Sequence, residues 1–201
     1  MIAIVDYGVG NLFSLKSSLA AIGAEAVVTA DPVILRSADR IILPGVGAFE
    51  DAARKLRESG LADLLRELAA AGKPLMGICL GMQLLFDRSF EYGEHKGLGL
   101  IPGEVRPIRD VIPADYKIPH IGWNALHFRQ AHPLFRHIRE GDCVYFVHSF
   151  YAVCGDAVIA TAEYGAQLTA AVAKGNVMGC QFHPEKSGNV GLAILKAFAE
   201  L

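Results

Sequence analysis

The sequence lacks both a long apolar run and a marked excess of charge of either sign. Among its 201 residues, 19 lysines and arginines stand against 21 aspartates and glutamates, so no basic stripe indicates a nucleic-acid or anionic-membrane partner. No stretch approaches the roughly 18 apolar residues that a membrane span needs, and the start has neither a positive leader nor a long apolar core. We therefore expect a cytoplasmic protein, without nucleic acid or membrane, whose partners are small molecules or another protein.

Cysteine is scarce as well. The chain has four cysteines and no C-x-x-C pair, which argues against a disulfide framework and against a zinc site. Cys143, Cys154 and Cys180 lie in or beside apolar, strand-like segments, so each is expected to be a small buried hydrophobe. Cys79 has different neighbours.

Short apolar runs alternate with helical patterns through the first half of the chain. Strands are predicted at 2–5, 26–29, 41–43 and 73–78, and the helical region 48–71 between the last two contains a break near Gly60. Such alternation is typical of a parallel sheet covered by helices on both faces. The first half is therefore predicted to be α/β.

Beyond Phe90 the sequence becomes rich in glycine and proline before short apolar runs return. A final helix is predicted near 190–198, and strand-like runs precede it at 143–150, 158–164, 169–173 and 177–182. Lys174-Gly175-Asn176 predicts a hairpin turn, so some of these strands should be antiparallel. With 52% hydrophobic residues and neither a linker nor an internal repeat, residues 1–201 are expected to form one domain.

The segment Gly77-Ile78-Cys79-Leu80-Gly81 places a cysteine between two glycines, where an apolar strand meets a helix expected to begin near Gly81. This pattern is the cysteine form of a nucleophile elbow, in which a strained turn exposes the central side chain and small neighbours avoid a collision. The N–H of Leu80 can then point toward a developing oxyanion. Considered alone, the segment also fits a buried cysteine beside packing glycines.

A histidine and a carboxylate end the strand-like run near 180. His183 is followed at the second position by Glu185, with Pro184 stiffening the link. Such a pair suits a triad in which His183 moves the proton of Cys79 and Glu185 orients the imidazole. An isolated H-P-E segment is usually an ordinary surface loop, but Cys79 and His183 both lie at predicted strand ends.

Pro44-Gly45-Val46-Gly47-Ala48-Phe49 follows the third strand and supplies a possible oxyanion loop. Its glycines allow the backbone to approach a ligand and to rotate a peptide N–H of Val46 or Gly47 toward it. By itself the segment is also compatible with a plain turn.

These motifs identify a resemblance. GICLGMQ at 77–83 together with HPE at 183–185 is similar to the class I, or triad, glutamine amidotransferases. More narrowly, the chain resembles the glutaminase subunits of imidazole glycerol phosphate synthases, through DYGVGN (6–11), PGVGAF (44–49), PHIGWN (119–124), YFVHSF (145–150) and HPEKS (183–187). The motifs span nearly the whole chain in order.

The resemblance implies a flavodoxin-like α/β domain with a central, mostly parallel sheet that hydrolyses glutamine to glutamate and ammonia, without metal or organic cofactor. Ammonia then passes to a (β/α)8-barrel cyclase partner, which makes imidazole glycerol phosphate and aminoimidazole carboxamide ribonucleotide in histidine biosynthesis. Because such a barrel needs at least about 200 residues by itself, these 201 residues cannot supply it as well. The family also implies a rearrangement of the P-G-V-G segment and weak activity of the isolated chain.

The resemblance also assigns roles to single residues. It implies Cys79 as nucleophile, His183 as acid and base, and Glu185 as the partner of His183. Gln83, Ser149 and Phe150 are expected to hold the α-amino-acid end of glutamine, and Asn11, Trp123 and Lys186 are expected to face the cyclase. Gln83 lies one helical turn past Cys79, which agrees with a place on the same face.

Two other functions fit parts of the sequence. The chain could serve another synthase, such as one that feeds pyridoxal phosphate synthesis, although that pattern lacks the DYGVGN start and the PHIGWN block. It could instead be a nonenzymatic flavodoxin-like protein that uses Cys79 for redox sensing or protein interaction. Such a protein has no evident need for Glu185 beside His183.

Overall fold

The computed structural model describes residues 1–201 and contains six α-helices and fourteen β-strands. The helices are α1 (Leu12–Ala21), α2 (Pro32–Ser37), α3 (Phe49–Glu58), α4 (Leu61–Ala70), α5 (Leu80–Gln83) and α6 (Gly188–Ala199). The strands are β1 (Ile2–Val5), β2 (Ala26–Thr29), β3 (Arg40–Leu43), β4 (Leu75–Ile78), β5 (Arg88–Ser89), β6 (His95–Lys96), β7 (Glu104–Pro107), β8 (His120–Ala125), β9 (His127–Phe128), β10 (Cys143–His148), β11 (Phe150–Val153), β12 (Val158–Glu163), β13 (Gln167–Lys174) and β14 (Val177–Cys180). No helix has the length and apolar character needed to cross a lipid bilayer.

The largest sheet has eight strands in the order β2-β1-β3-β4-β14-β13-β12-β9. The first five are parallel, in the 2-1-3-4-5 order of flavodoxin-like folds, and the last three are antiparallel. The predicted hairpin at Lys174-Gly175-Asn176 joins β13 to β14. The predicted α/β fold, with a mostly parallel sheet and antiparallel strands in the second half, is confirmed.

Alternation along the parallel strands builds two apolar layers. Ala3 and Val5 of β1 face a layer that includes α2, α3 and α4, whereas Ile2 and Ile4 face a layer that includes α1 and α6. Because both faces are covered, these strands are apolar at nearly every position, as the sequence pattern predicted. The predicted break near Gly60 separates α3 from α4.

The strand-like run predicted at 143–150 is divided between two strands in the structure. β10 ends at His148 and pairs with β8, whereas β11 begins at Phe150 and pairs with β7 in a separate four-stranded sheet. The side chain of His148 donates from Nδ1 to the carbonyl of Phe150 at 2.8 Å across this change of sheet. Apolar alternation does not reveal such a bend, because both strands continue the same pattern.

The prediction for the three other cysteines is correct only in part. Cys180 is buried, but Cys154 is half-buried and Cys143 is exposed. Cys143 is the first residue of β10, a strand of a two-stranded ribbon that leaves alternate side chains open to solvent. Its apolar neighbours therefore do not bury it.

Ile42 gives a test of the layered core, because it is completely buried in the middle of β3. We expect Ile42→Ala to lower the free energy of unfolding by about 2–5 kcal/mol, since truncation removes apolar burial and leaves a cavity. Denaturant unfolding measures the change. Val33→Ala is the matched control, because Val33 is 73% exposed, and its effect should stay within about 0.5 kcal/mol. Equal effects of the two substitutions would contradict this description of the core.

Candidate active site

The site lies at one edge of the main sheet, where four parallel strands end. Since β1, β3, β4 and β14 run in the same direction, their carboxyl ends meet, as do the segments that follow them. These segments contain Tyr7, the 44–47 loop, Cys79 and His183. Residues far apart in sequence are therefore brought to one place.

Cys79 occupies a sharp turn between β4 and α5. Its φ of 54° and ψ of −113° are unusual for a residue with a side chain, and such a conformation costs about 1–3 kcal/mol. Its N–H donates to the carbonyl of Cys180 at 2.8 Å, which holds the turn to β14. At Gly81, a Cβ would lie 1.9 Å from the carbonyl oxygen of Leu43, so only glycine permits this close approach. The predicted elbow geometry is present.

His183 and Glu185 form a buried pair beside Cys79. The imidazole Nδ1 lies 2.9 Å from Oε1 of Glu185, and each side chain is 4% exposed. Burial disfavours the imidazolium, but interactions with Cys79 and Glu185 outweigh it and raise the pKa of His183 to about 9. A protonated imidazole next to the sulfur is therefore the favoured form at neutral pH.

The backbone around these two side chains is held in place as well. The N–H of His183 donates to the carbonyl of Tyr145 at 3.0 Å, and the hydroxyl of Ser187 donates to the carbonyl of His183 at 2.6 Å. The second carboxylate oxygen of Glu185, Oε2, is buried without a partner in the chain. Within the chain, Glu185 therefore makes its one side-chain hydrogen bond through Oε1, to the imidazole of His183.

The Pro44–Gly47 loop lies against the elbow. Tyr7 donates its hydroxyl proton to the carbonyl of Pro44 at 2.8 Å, and burial raises the pKa of Tyr7 so that this proton is retained. Gly47 has φ +90°, a value that favours glycine, and Val46 is 43% exposed. Leu80 is the first residue of α5, so its N–H has no acceptor within the helix. The three residues predicted to line an oxyanion site all border one cleft.

That cleft has a volume of about 360 Å³. It contains both predicted reactive side chains and the three residues predicted to hold substrate, and it is lined by Val46, Gly47, Cys79, Leu80, Gln83, Glu91, Tyr92, Pro119, Val147, His148, Ser149, Phe150 and His183.

Gln83 lies in the cleft wall but uses its amide nitrogen within the protein. Its Nε2 donates to the carbonyl of Phe150 at 3.2 Å and to Oε1 of Gln181 at 3.0 Å. Since both amide protons have acceptors, Oε1 of Gln83 is the atom left for a ligand. The sequence predicted that Gln83 holds substrate but gave no orientation for its amide group.

Three features of the site had no role in the sequence prediction. Gln181 is completely buried, and its Nε2 lies 3.7 Å from Sγ of Cys79. The carboxylate of Glu91 borders the cleft and accepts the N–H of Phe49 at 2.9 Å, while burial raises its pKa. Gln181 lies two residues before His183, so its place in the sequence could have marked it as a site residue. No sequence feature around Glu91 singles that residue out.

The third feature is a pair of buried histidines behind the cleft. Nδ1 of His148 donates to the carbonyl of Phe150, so its Nε2 must accept, and Nδ1 of His120 must donate to it across 2.9 Å. His120 Nε2 is then left to accept from Nδ2 of Asn124, 3.4 Å away. Burial lowers the pKa of each histidine to about 4, which keeps both rings neutral.

The residues predicted to face a partner lie near the same edge. Trp123 is 58% exposed and contacts the ring of Tyr145, with centroids 6.1 Å apart. Lys186 is exposed, and its Nζ lies 6.0 Å from that ring. Asn11 precedes α1, which packs against the Pro184–Lys186 turn. Trp123 and Lys186 therefore share one surface next to Glu185.

The elbow cysteine, the histidine–carboxylate pair and the flavodoxin-like sheet together define a class of enzyme. The chain belongs to the class-I glutamine amidotransferases, whose family profile matches residues 3–200. Two solved structures share the fold: one described as a glutamine amidotransferase, with TM-score 0.76 at 22% identity over all of both chains, and PurLQS from Thermotoga maritima, with TM-score 0.75 at 23% identity over 99% of this chain and 97% of its own.

Within that class, the chain groups with proteins named imidazole glycerol phosphate synthase subunit HisH. The protein from Bacillus cereus is 51% identical over 199 residues, which make up 98% of this chain and 93% of its own. The protein from Lactococcus lactis subsp. lactis is 49% identical over 99% of this chain and 98% of its own. The one from Sulfurimonas denitrificans is 49% identical over 100% and 98%, respectively.

The Glu185 carboxylate can be tested through the titration of its neighbour. Glu185→Gln should move the pKa of His183 downward from about 9, because it removes a favourable charge while burial remains. NMR titration of the His183 ring measures this shift. Glu200→Gln, which alters a surface partner of His137, is the control and should leave His183 unchanged. An unchanged titration in Glu185→Gln would show that the carboxylate does not stabilise the imidazolium.

The histidine pair predicts a pH dependence of stability. Because the pKa values of His120 and His148 are about 4 in the folded chain and ordinarily about 6.5, the unfolded chain binds more protons between these values. The free energy of unfolding should therefore fall as the pH is lowered from 6.5 toward 4. His183 has the opposite sign, since its stabilising effect is complete below pH 6.5 and is lost as pH rises through 9.

Denaturant unfolding at several pH values between 6.5 and 5 measures the slope. A double variant, His120→Gln with His148→Gln, should have a shallower slope than the unsubstituted chain, whatever its absolute stability. Parallel slopes would refute the assignment of this acid sensitivity to the histidine pair.

Proposed function

We propose that this chain is the glutaminase subunit of imidazole glycerol phosphate synthase. It hydrolyses glutamine to glutamate and ammonia and supplies the ammonia to a cyclase subunit in histidine biosynthesis. The observation that carries the proposal is the strained Cys79 turn facing the buried His183–Glu185 pair, in a chain about half identical to HisH subunits over almost its full length.

The first half of the reaction is acyl transfer to sulfur. The thiolate of Cys79 attacks the side-chain carbonyl carbon of glutamine, and a C–S bond forms while the carbonyl oxygen gains the negative charge. The N–H of Leu80 and a peptide N–H of Val46 or Gly47 stabilise that oxyanion. The imidazolium of His183 then gives its proton to the departing nitrogen, the C–N bond breaks, and ammonia leaves a glutamyl thioester.

The second half returns the enzyme to its starting state. His183, now neutral, takes a proton from a water molecule as that water attacks the thioester carbon. The C–S bond breaks, the electron pair returns to sulfur, and glutamate is released. Throughout, Glu185 keeps Nδ1 of His183 protonated and directs the other ring nitrogen toward the reacting atoms.

The cleft fits an α-amino acid with a side-chain amide. Cys79 stands at one side, and the free Oε1 of Gln83 and the carboxylate of Glu91 are acceptors suited to an α-ammonium group. The backbone of Ser149 and Phe150 forms the adjoining wall. An acid whose pKa is raised by burial gains most from a cation placed beside it, which supports Glu91 in this role.

The partner is a (β/α)8-barrel cyclase, which uses the ammonia to make imidazole glycerol phosphate and aminoimidazole carboxamide ribonucleotide. Asn11, Trp123 and Lys186 face it. Lys186 follows Glu185 directly in the chain, so a protein docked here lies one residue from the histidine–carboxylate pair. Because the glycines of the P-G-V-G segment permit its peptides to rotate, docking rearranges this segment and raises activity above that of the isolated chain.

The proposal is tested by cyclisation with purified cyclase and its nucleotide substrate. Cys79→Ala should abolish glutamine-dependent cyclisation and leave ammonia-dependent cyclisation intact, because it removes the nucleophile but not the partner. Cys143→Ala, which changes an exposed cysteine, is the matched control and should retain both activities. Glutamine-dependent product from Cys79→Ala would disprove the central claim.

The same assay compares the isolated chain with the complex. Glutamate release should be weak for the chain alone and should rise when cyclase and nucleotide are added. Equal turnover in both states would remove the proposed activation, and activity with a different synthase instead would assign the chain to another pathway.

A further inference from the structure

Gln181 lies directly beside the nucleophile because of strand register. β14 runs parallel to β4 with Gly179 opposite Gly77 and Cys180 opposite Ile78, so the next residue along falls opposite Cys79. The N–H of Gln181 donates to the carbonyl of Ala170 at 2.8 Å, which fixes its backbone to β13. Its position is therefore set by the centre of the main sheet, and side chains supported by strands are held more precisely than side chains on loops.

The amide of Gln181 can be turned only one way. Its Oε1 accepts a proton from Nε2 of Gln83 at 3.0 Å, and Gln83 cannot be reversed because its Nε2 also donates to a backbone carbonyl, that of Phe150. The amide nitrogen of Gln181 must consequently face the other way. There it lies 3.7 Å from Sγ of Cys79, in a contact that is closed to solvent.

The series of hydrogen bonds from Gln181 through Gln83 ends at the carbonyl of Phe150, which has no free lone pair. The carbonyl of Phe150 accepts from Gln83 and, at 2.8 Å, from Nδ1 of His148. Two donors saturate the two lone pairs of that oxygen. Reversing the Gln83 amide would set its oxygen against that carbonyl oxygen and lose this hydrogen bond, so neither Gln83 nor Gln181 has an alternative orientation of similar energy.

We propose that Gln181 is a further catalytic residue, whose amide N–H donates to the sulfur of Cys79 and whose orientation is set by Gln83. This inference rests on the proposed glutaminase function, because it assigns a role within the same reaction. Gln181 contacts the sulfur of Cys79 on the side away from solvent, and His183 lies on the side that faces the cleft.

The contact matters most when the sulfur carries charge. A hydrogen bond to an anion is about twice as strong as one between neutral groups. The N–H of Gln181 therefore favours the thiolate before attack, and it stabilises the charge that returns to sulfur when the thioester C–S bond breaks. In the thioester itself, where sulfur is neutral, the same contact is weak.

Two substitutions separate this role from a packing role. Gln181→Met keeps a side chain of similar length but has no donor, and Gln181→Glu keeps the shape and an acceptor for Gln83 while placing a carboxylate near sulfur. Gln167→Met is the matched control, since Gln167 is an exposed glutamine at the start of β13. Gln181→Glu also covers the case in which Gln181→Met does not fold.

The first measurement is alkylation of Cys79 by iodoacetamide in the full chain, followed by peptide mass spectrometry as a function of pH. Both Gln181 variants should move the midpoint of the profile to higher pH, Gln181→Glu more than Gln181→Met, and Gln167→Met should leave it unchanged. This readout needs no glutamine turnover, so it tests the sulfur contact even if the proposed function fails.

The second measurement is glutamine hydrolysis in the complex with cyclase and nucleotide. Loss of a hydrogen bond to a charged group should lower kcat by about 10- to 100-fold, with KM within about 3-fold of the unsubstituted enzyme. Unchanged alkylation profiles in both variants would overturn the proposal, as would a rise in KM with kcat unaltered. An inactive unsubstituted complex with shifted alkylation profiles would reject the glutaminase while retaining the Gln181–sulfur contact.

Discussion

The backbone of Cys79 is the constraint on which the site depends. A cysteine with φ of 54° is strained, and it persists only because neighbouring elements leave it no alternative. The Cys180 carbonyl holds its N–H, and the carbonyl of Leu43 fits against a glycine where a larger residue would collide. The parallel strands β3, β4 and β14 thus fix the direction in which the sulfur projects.

The sulfur is then supported from two sides with different chemistry. Toward the cleft stands the His183 imidazole, which titrates and whose pKa is raised by its interactions with Cys79 and Glu185. Toward the sheet stands an amide that donates but does not titrate. Hydrogen bonds strengthen in a low-dielectric interior, and an unpaired group there is costly, so each member restricts the next. The outcome is one defined geometry around the Cys79 sulfur.

The two-stranded ribbon of β8 and β10 touches both sides of this arrangement. Tyr145 of β10 accepts the N–H of His183, and His148 of the same strand holds the Phe150 carbonyl that anchors Gln83. β8 carries His120 inward and Trp123 outward. A protein that displaced the ribbon at Trp123 would therefore move the supports of the His183 imidazole and of the Gln83 and Gln181 amides together. The ribbon thus connects the exposed ring of Trp123 with the groups that surround the Cys79 sulfur.

Local sequence determined much of this protein. Apolar runs between helical patterns indicated the parallel sheet, because strands covered on both faces must be apolar throughout. The glycines around Cys79, together with His183 and Glu185 at the end of a strand-like run far along the chain, indicated the candidate site. The sequence did not reveal the change of sheet at Ser149, the exposure of Cys143, or the places of Gln181, Glu91 and the His120–His148 pair. Only tertiary structure decided these, because a polar side chain acquires its role from partners that strand register and loop packing bring to it, and neither is written in its immediate neighbours.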